Sequence, residues 1–587
     1  MSRASVAERA GLSVILVRRL FGGLVGRLTT NPIVSWLASF GKPDRLVIAP
    51  QDLRTTDATR AGEIYSGRFA FAGKVVVCES RSPFQMTPPS DDWAAALFGF
   101  GWLRHLRAAE SAIARANARA LVDEWITMSG ARNALAWRPE VVARRITSWI
   151  SQAPLMLDDS DPAFYRRFMR SLTRQIRHLS YTLGEARDGV PRLQAVMALT
   201  YAALCVAGQQ RYVRTAARRL TEELGRQILP DGGHISRNPG ALIPILIDLL
   251  PLRTAFTARN LSPPPALLNA VDRMMPMLRF FRHGDGNFAL FNGMGPTPAD
   301  LVTTILAYDD ARGAPLANAP HSAYQRLESA GTLVVMDTGR PPPFALSQEA
   351  HAGCLSFELS VRQTRLVVNC GVPATNRDSW RQVARATAAH STVTFNDTSS
   401  CGFVPARPVK RLLDGTPIVG GPRHVAVARE ERPEGMTLVT SHDGYTDLFN
   451  MVHHRTLTLS PDGQKLDGED VFTPAKGELV AGDKDQFALR FHLHPAIKAT
   501  RLADGHSVML VMPNRGVWNF ETLEDRVDLE ESVYLAGPDG PRRTLQIVIL
   551  GHARKVMRVQ WSFVETSAES APAPVRRDRG AEPQLPL

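Results

Sequence analysis

The stretch HAGCLSFELSVRQTRLVVNCGVP, residues 351–373, alternates apolar and polar positions and closes on an Asn-Cys-Gly turn. A period of two places alternate side chains on opposite faces of a strand. The same pattern recurs beyond about residue 330 in GTLVVMDTG, STVTFND, RTLTLS, SVMLVMPN and TLQIVILG. Each run is rich in β-branched residues and bounded by Gly, Asp, Asn or Pro. These runs predict an antiparallel sheet region, built as a large sandwich.

Upstream the period changes. Residues 162–183 and 192–229 repeat apolar side chains every three or four positions, as helices with one greasy face do. Residues 264–281 follow the same rule between a Pro-rich start and the Gly-containing loop RHGDGN. A layered array of amphipathic helices is expected over the first half, with a junction near ARGAPLANAPHSAYQRL.

The chain has 587 residues, too many for one ordinary core. It is 44% hydrophobic and 21% charged, with a net charge of +12, an excess that points to an anionic partner. Nothing marks that partner as nucleic acid: there is no basic block with interleaved aromatics and no zinc-finger spacing. A P-loop, a GxGxxG in a βαβ setting and a GxSxG elbow are all missing from the sequence. The five cysteines, Cys78, Cys205, Cys354, Cys370 and Cys401, are scattered and read as small buried apolar residues. Residues 1–60 read as an amphipathic extension. Its arginines break every apolar run, so neither a spanning helix nor a signal peptide is expected there. The Pro-rich tail, 566–587, reads as disordered.

Four segments together carry a family resemblance: AWRPEVVARRITSWI (136–150), LPDGGHISRNPG (229–240), the stretch quoted above, and RATAAHSTVTFND (385–397). In this order they resemble the heparinase II/III family over roughly residues 60–560. The resemblance implies an incomplete α/α toroid over 61–325 and an antiparallel β-sandwich over 326–565. It further implies lyase chemistry on a uronate-containing glycan, and a place in the cell envelope or periplasm. The oligomeric state stays open.

β-Elimination at a uronate needs a group to neutralise the carboxylate, a base for the C5 proton and an acid for the leaving oxygen. The resemblance assigns carboxylate binding to His234 in the Asp-Gly-Gly turn and to Arg237 three residues on. The histidine taken as catalytic in the family is replaced by Glu349, which would serve as a base only if burial raised its pKa. The family's tyrosine has no match around Phe281 and Phe288, with Tyr308 the next one downstream, so His283 in the RHGDGN loop stands as the proton-transfer candidate. His351 and His390 match family histidines, and Asn369 stands where the family carries an aspartate. Two readings follow. The three could hold zinc or another divalent ion, with the Asn amide a poorer donor than carboxylate. Alternatively, both imidazoles are hydrogen-bonded within the sheet. As to function, the expectation is a polysaccharide lyase, and the alternative is a catalytically altered glycan-binding protein on the same scaffold. Two further pairs carry histidines, His453–His454 and His492–His494. Alternation turns only one of the first pair inward.

Overall fold

The computed structural model describes residues 45–79, 81–128, 133–308, 313–374, 378–404, 416–477, 485–523 and 526–566. Residues 1–44 of the predicted amphipathic extension and nearly all of the predicted tail lie outside them. The rest of the extension is not a separate arm. Val47 N–H donates to Cys205 O at 2.7 Å, and Arg54 binds Asp248 with both guanidinium nitrogens at 2.8 and 3.0 Å, pinning this segment to the helical body.

The helical half runs α1 Ala58–Tyr65, a short hairpin of β1 Arg68–Phe71 and β2 Lys74–Val77, then α2 Asp91–Phe98, α3 Leu103–Ala108, α4 Ala112–Thr127, α5 Pro139–Ser151, α6 Ala153–Leu157, α7 Pro162–Thr182, α8 Val190–Cys205, α9 Val213–Gln227, α10 Leu242–Ala258, α11 Pro265–Phe280 and α12 Ala299–Leu306. Burial separates an inner from an outer layer. Helix α8 packs against α5, α9 and α10, and is buried on nearly every side. Helix α10 reads LIPILIDLLPLRTAFTA and would pass for a membrane span by composition, yet most of it lies inside the protein. The outer helices α7 and α9 each bury one stripe. In α7 the stripe is Phe164, Phe168, Leu172, Ile176 and Leu179, spaced at three and four. Its start is set by Asp161, whose carboxylate accepts Phe164 N–H at 3.1 Å, with Pro162 in the first turn. Two helical layers around a common axis form the expected toroid.

The second half is two antiparallel sheets. One contains, in chain order, β3 Asn318–Ala319, β4 Tyr324–Ser329, β5 Thr332–Asp337, β6 Phe357–Val361, β7 Thr364–Val368, β8 Val393–Phe395, β15 Gln486–Leu493, β19 Asp528–Tyr534 and β20 Arg542–His552. The other has eight strands: β11 Val425–Arg432, β12 Gly435–Tyr445, β13 Met451–Leu459, β14 Lys465–Pro474, β16 Lys498–Arg501, β17 Ser507–Val511, β18 Val517–Thr522 and β21 Arg558–Thr566. A two-strand bridge pairs β9 Gly402–Phe403 with β10 Ile418–Val419. Between the large sheets lies an apolar core in which Phe357 of β6 stacks on Trp561 of β21, ring centroids 5.5 Å apart.

The nine-stranded sheet is covered on both faces. Leu327, Val334 and Met336 face the sandwich core, while Tyr324, Leu333, Val335 and Val368 join the core of the helical half. Every residue of β5 and β6 is buried in consequence. The toroid and the sandwich therefore share this sheet as a common wall.

Candidate functional site

The seam where the toroid meets that wall holds most of the predicted site residues. Its first element is the Asp-Gly-Gly turn. Gly232 has φ +88°, and a Cβ there would lie 2.0 Å from Arg273 O, so only glycine fits. Asp231 accepts hydrogen bonds from His321 N at 2.8 Å, Ser322 N at 2.6 Å and Ser322 Oγ at 3.0 Å, which ties the turn to the lead-in of β4. The turn is thus a clamp between the two halves.

His234 follows the clamp and is buried, at 2% exposure. Its Nδ1 accepts from Ser236 N–H at 3.2 Å, which leaves the proton on Nε2, and that nitrogen donates to Gln227 Oε1 at 3.0 Å. Ser236 Oγ also reaches Nδ1, at 2.7 Å. Burial lowers its pKa to about 4, so the ring is neutral at physiological pH. A neutral imidazole whose single N–H is committed to glutamine cannot also grip a uronate carboxylate. The carboxylate-binding assignment for His234 is corrected on this ground.

Arg237 adopts φ +60° and sends its guanidinium under the β-sheet. It donates to Ser322 O at 2.9 Å, Ala323 O at 3.0 Å and Arg340 O at 2.9 Å, and pairs with buried Asp337. Its cation also lies 4.8 Å from the centre of the Tyr324 ring. Four of the five guanidinium N–H groups are taken by protein and the charge is paired with Asp337, so Arg237 joins the halves and does not present charge to a ligand.

His283 is sealed as well. Its Nδ1 meets Ser360 Oγ at 2.8 Å, and Nε2 meets Glu358 Oε2 at 3.0 Å, with both side chains at 0% exposure. The other Glu358 oxygen accepts from Leu290 N at 3.1 Å and Asn369 N at 2.9 Å. His283 is a second cross-seam tie rather than a proton donor in a cleft. Glu349 errs in the opposite direction. Its side chain is 60% exposed and lies 3.5 Å from Arg381, without the burial that would make it a base.

His351 and His390 do meet, but they bind each other. His390 Nδ1 donates to Ala386 O at 2.8 Å, so its Nε2 carries a lone pair and accepts from His351 Nδ1–H at 3.0 Å. Burial lowers both pKa values, which keeps both rings neutral. His351 Nε2 is then an unprotonated, buried nitrogen with no protein partner. Asn369 is occupied elsewhere: its Oδ1 accepts Ser391 N at 3.0 Å and its Nδ2 faces Glu358 at 3.3 Å. Among the described residues no group of three His, Cys, Asp or Glu side chains is placed to hold a metal ion. The donor set His351, Asn369 and His390 does not fit one, because two of its members are already used inside the protein. Of the two readings, hydrogen bonding inside the protein describes these histidines, although both lie in the loops beside the sheet rather than on its strands.

Three residues at the seam escaped the sequence reading. Asn292 Nδ2 donates to Tyr324 Oη at 2.7 Å and to Asp337 Oδ2 at 3.0 Å, and its Oδ1 receives His351 N–H at 3.3 Å. Tyr324 Oη in turn donates to Arg237 O, and burial raises its pKa. Arg237, Asp337, Asn292, Tyr324 and His351 thus form one continuous buried network. The single open acceptor on it is His351 Nε2. Tyr324 lies inside the junction noted in the sequence, and its alternation with Arg326 and Glu328 is the one local sign that it points to a defined face.

A helical toroid sharing a wall with a two-sheet sandwich, with imidazoles along the seam, defines a heparinase II/III-type architecture. The family description "Heparinase II/III-like, C-terminal" matches residues 311–562, and the chain belongs to the heparinase II/III-like family. It is also 31% identical, over 535 residues, to FtsZ-localized protein C of Caulobacter vibrioides, covering 89% of this chain and 91% of that protein. Among solved structures it resembles a heparan sulfate lyase HepC mutant from Pedobacter heparinus, with TM-score 0.61 and 17% identity over 92% of this chain and 88% of that one. A structure of heparinase III gives TM-score 0.63 and 14% identity, covering 85% and 80%. At these identities the structural likeness is one of fold.

Proposed function

We propose that this chain keeps the lyase scaffold as a binding protein, does not catalyse β-elimination, and localises with FtsZ, as the name of its relative from Caulobacter says of that protein. The observation that carries this reading is the state of the predicted catalytic set. His234, Arg237 and His283 have their polar atoms committed inside the protein, and Glu349 lies on the surface paired with Arg381. The name of the 31% identical relative, rather than the glycans of the structural neighbours, sets the expected partner and location.

The test has two arms. Purified protein is incubated with heparan sulfate, chondroitin, alginate and bacterial exopolysaccharides, with divalent metal supplied, and the absorbance of unsaturated uronate is followed. The protein is also sedimented with assembled FtsZ. No turnover together with co-sedimentation is expected; turnover on any of these glycans overturns the reading.

One observation favours a second reading, a lyase of altered mechanism acting on an acidic polysaccharide. His351 Nε2 is a buried, unprotonated imidazole nitrogen with no protein partner, as a proton acceptor requires. Should turnover be found, replacement of His351 by Asn is expected to abolish it.

A further inference from the structure

The +12 charge of the chain is not spread evenly. Between residues 162 and 227 there are twelve arginines, no lysine and only four acidic residues, a surplus of eight. These residues span α7, α8 and α9, and the basic ones, apart from Arg192 in the first turn of α8, fall on the two outer helices and the turns beside them. The acidic side chains there are already engaged or weakly charged. Glu223 is held by Arg192, Arg226 and Gln227, and Asp188 by Arg226. Glu222 lies 3.7 Å from Arg218. Burial raises the pKa of Glu185 to about 7. Against them, Arg166, Arg177, Arg214 and Arg219 have no acidic partner among the described residues, and Tyr181 and Tyr212 stand 63% and 46% exposed.

Helices α7 and α9 do not close on each other. Between them opens a cleft of about 260 Å³, floored by Leu183 and Val196 and edged by Arg192, Arg219, Glu222 and Glu223. We infer that this outer wall is a docking surface for an Asp/Glu-rich polypeptide segment that carries an apolar side chain among its carboxylates. The carboxylates would meet the unpaired guanidiniums, which favour bidentate contact, and the apolar side chain would enter the cleft onto Leu183 and Val196. The cleft is what selects a peptide. A flat anionic membrane cannot fill a concavity, and a polyuronate offers carboxylates but no apolar side chain. The inference rests on the reading of the chain as a binding protein and assigns that binding to one surface.

The test uses the full chain and a fluorescent Asp/Glu-rich peptide with a central Leu-Phe pair, followed by anisotropy at several salt concentrations. Binding is expected, weakening as salt rises. Charge reversal at four exposed or half-exposed positions, Arg166→Glu, Arg170→Glu, Arg177→Glu and Arg219→Glu, is expected to weaken it about tenfold or more with the fold unchanged by circular dichroism. The pair Arg432→Glu and Lys498→Glu, on the β half, is expected to leave it unaltered. Three results overturn the inference: the peptide does not bind, the two sets of reversals weaken it equally, or polyuronate oligosaccharides or phosphatidylglycerol vesicles compete more strongly than the peptide. Co-sedimentation with FtsZ separates the two levels. If the four-site variant fails to bind peptide yet still sediments with FtsZ, the wall is a docking surface for some other acidic segment. If it keeps peptide binding, the surface is wrong while the binding-protein reading stands.

Discussion

Two imidazole pairs lie in the β half, alike in geometry and opposite in outcome. His351 and His390 meet edge to face with ring centroids 5.0 Å apart, and His442 and His453 do so at 5.2 Å. In the second pair every nitrogen has a partner. Gly444 N–H donates to His442 Nδ1, His442 Nε2–H donates to His453 Nδ1, and His453 Nε2–H donates to Asp470. Asp470 is fixed in turn by Arg455 and Trp561. The first pair runs the same way, from His351 Nδ1–H to His390 and from His390 Nδ1–H to Ala386 O, but no N–H stands at its head, so His351 Nε2 is left without a protein partner. The donor at the head of the chain, not the number of histidines, decides whether a pair is closed structure or an open acceptor.

The largest effect is expected on breaking the closed pair. Asp470→Asn leaves the Arg455 cation buried without its counter-charge, and denaturant unfolding should show a loss of about 3–5 kcal/mol. Removing the cross-seam cation comes next. Arg237→Met strips Asp337 of its charge partner and should cost about 3 kcal/mol, read in the same way.

Acidification acts on both pairs, whose pKa values burial lowers, and on other buried imidazoles. His178 and His234 are held neutral with folded pKa values of about 4, against an ordinary 6.5, and His492 with one of about 3. The unfolded chain therefore binds more protons between these values. Stability should fall as pH drops from about 6.5 to 4, and the melting temperature should follow it. The open pair is the cheaper one to disturb. His351→Asn keeps a donor toward His390 and gives up only an unpartnered nitrogen, so a loss of about 1 kcal/mol is expected. Glu349→Ala removes an exposed partner of Arg381 and should change stability by less than about 0.5 kcal/mol.

Fold and site differ in how they are written into the chain. The outer helices were legible because α7 and α9 bury a single stripe, and the strands because Gly, Asp and Pro punctuate them. Even β5, buried on both faces, kept its turn residues on either side. The site residues were legible as positions but not as roles. What silences Arg237 is Asp337, one hundred residues away, and what seals His283 is Glu358, seventy-five residues away. No local spacing encodes such a pairing. Tyr308, the first tyrosine downstream of the RHGDGN loop, stands 38% exposed, whereas Tyr324 lies buried at the seam.

The sheet shared by toroid and sandwich has one more consequence. A fragment cut at residue 311, where the family match begins, would keep every strand of the two large sheets and lose the partner of one sheet face. Tyr324, Leu333, Val335 and Val368 would then meet water together, and Glu358, opposite Val335 on the same face, would lose His283 and be uncovered with them. Such a fragment should stick to itself and precipitate unless the helices are supplied alongside it. The boundary visible in the chain is therefore no place at which to divide the molecule.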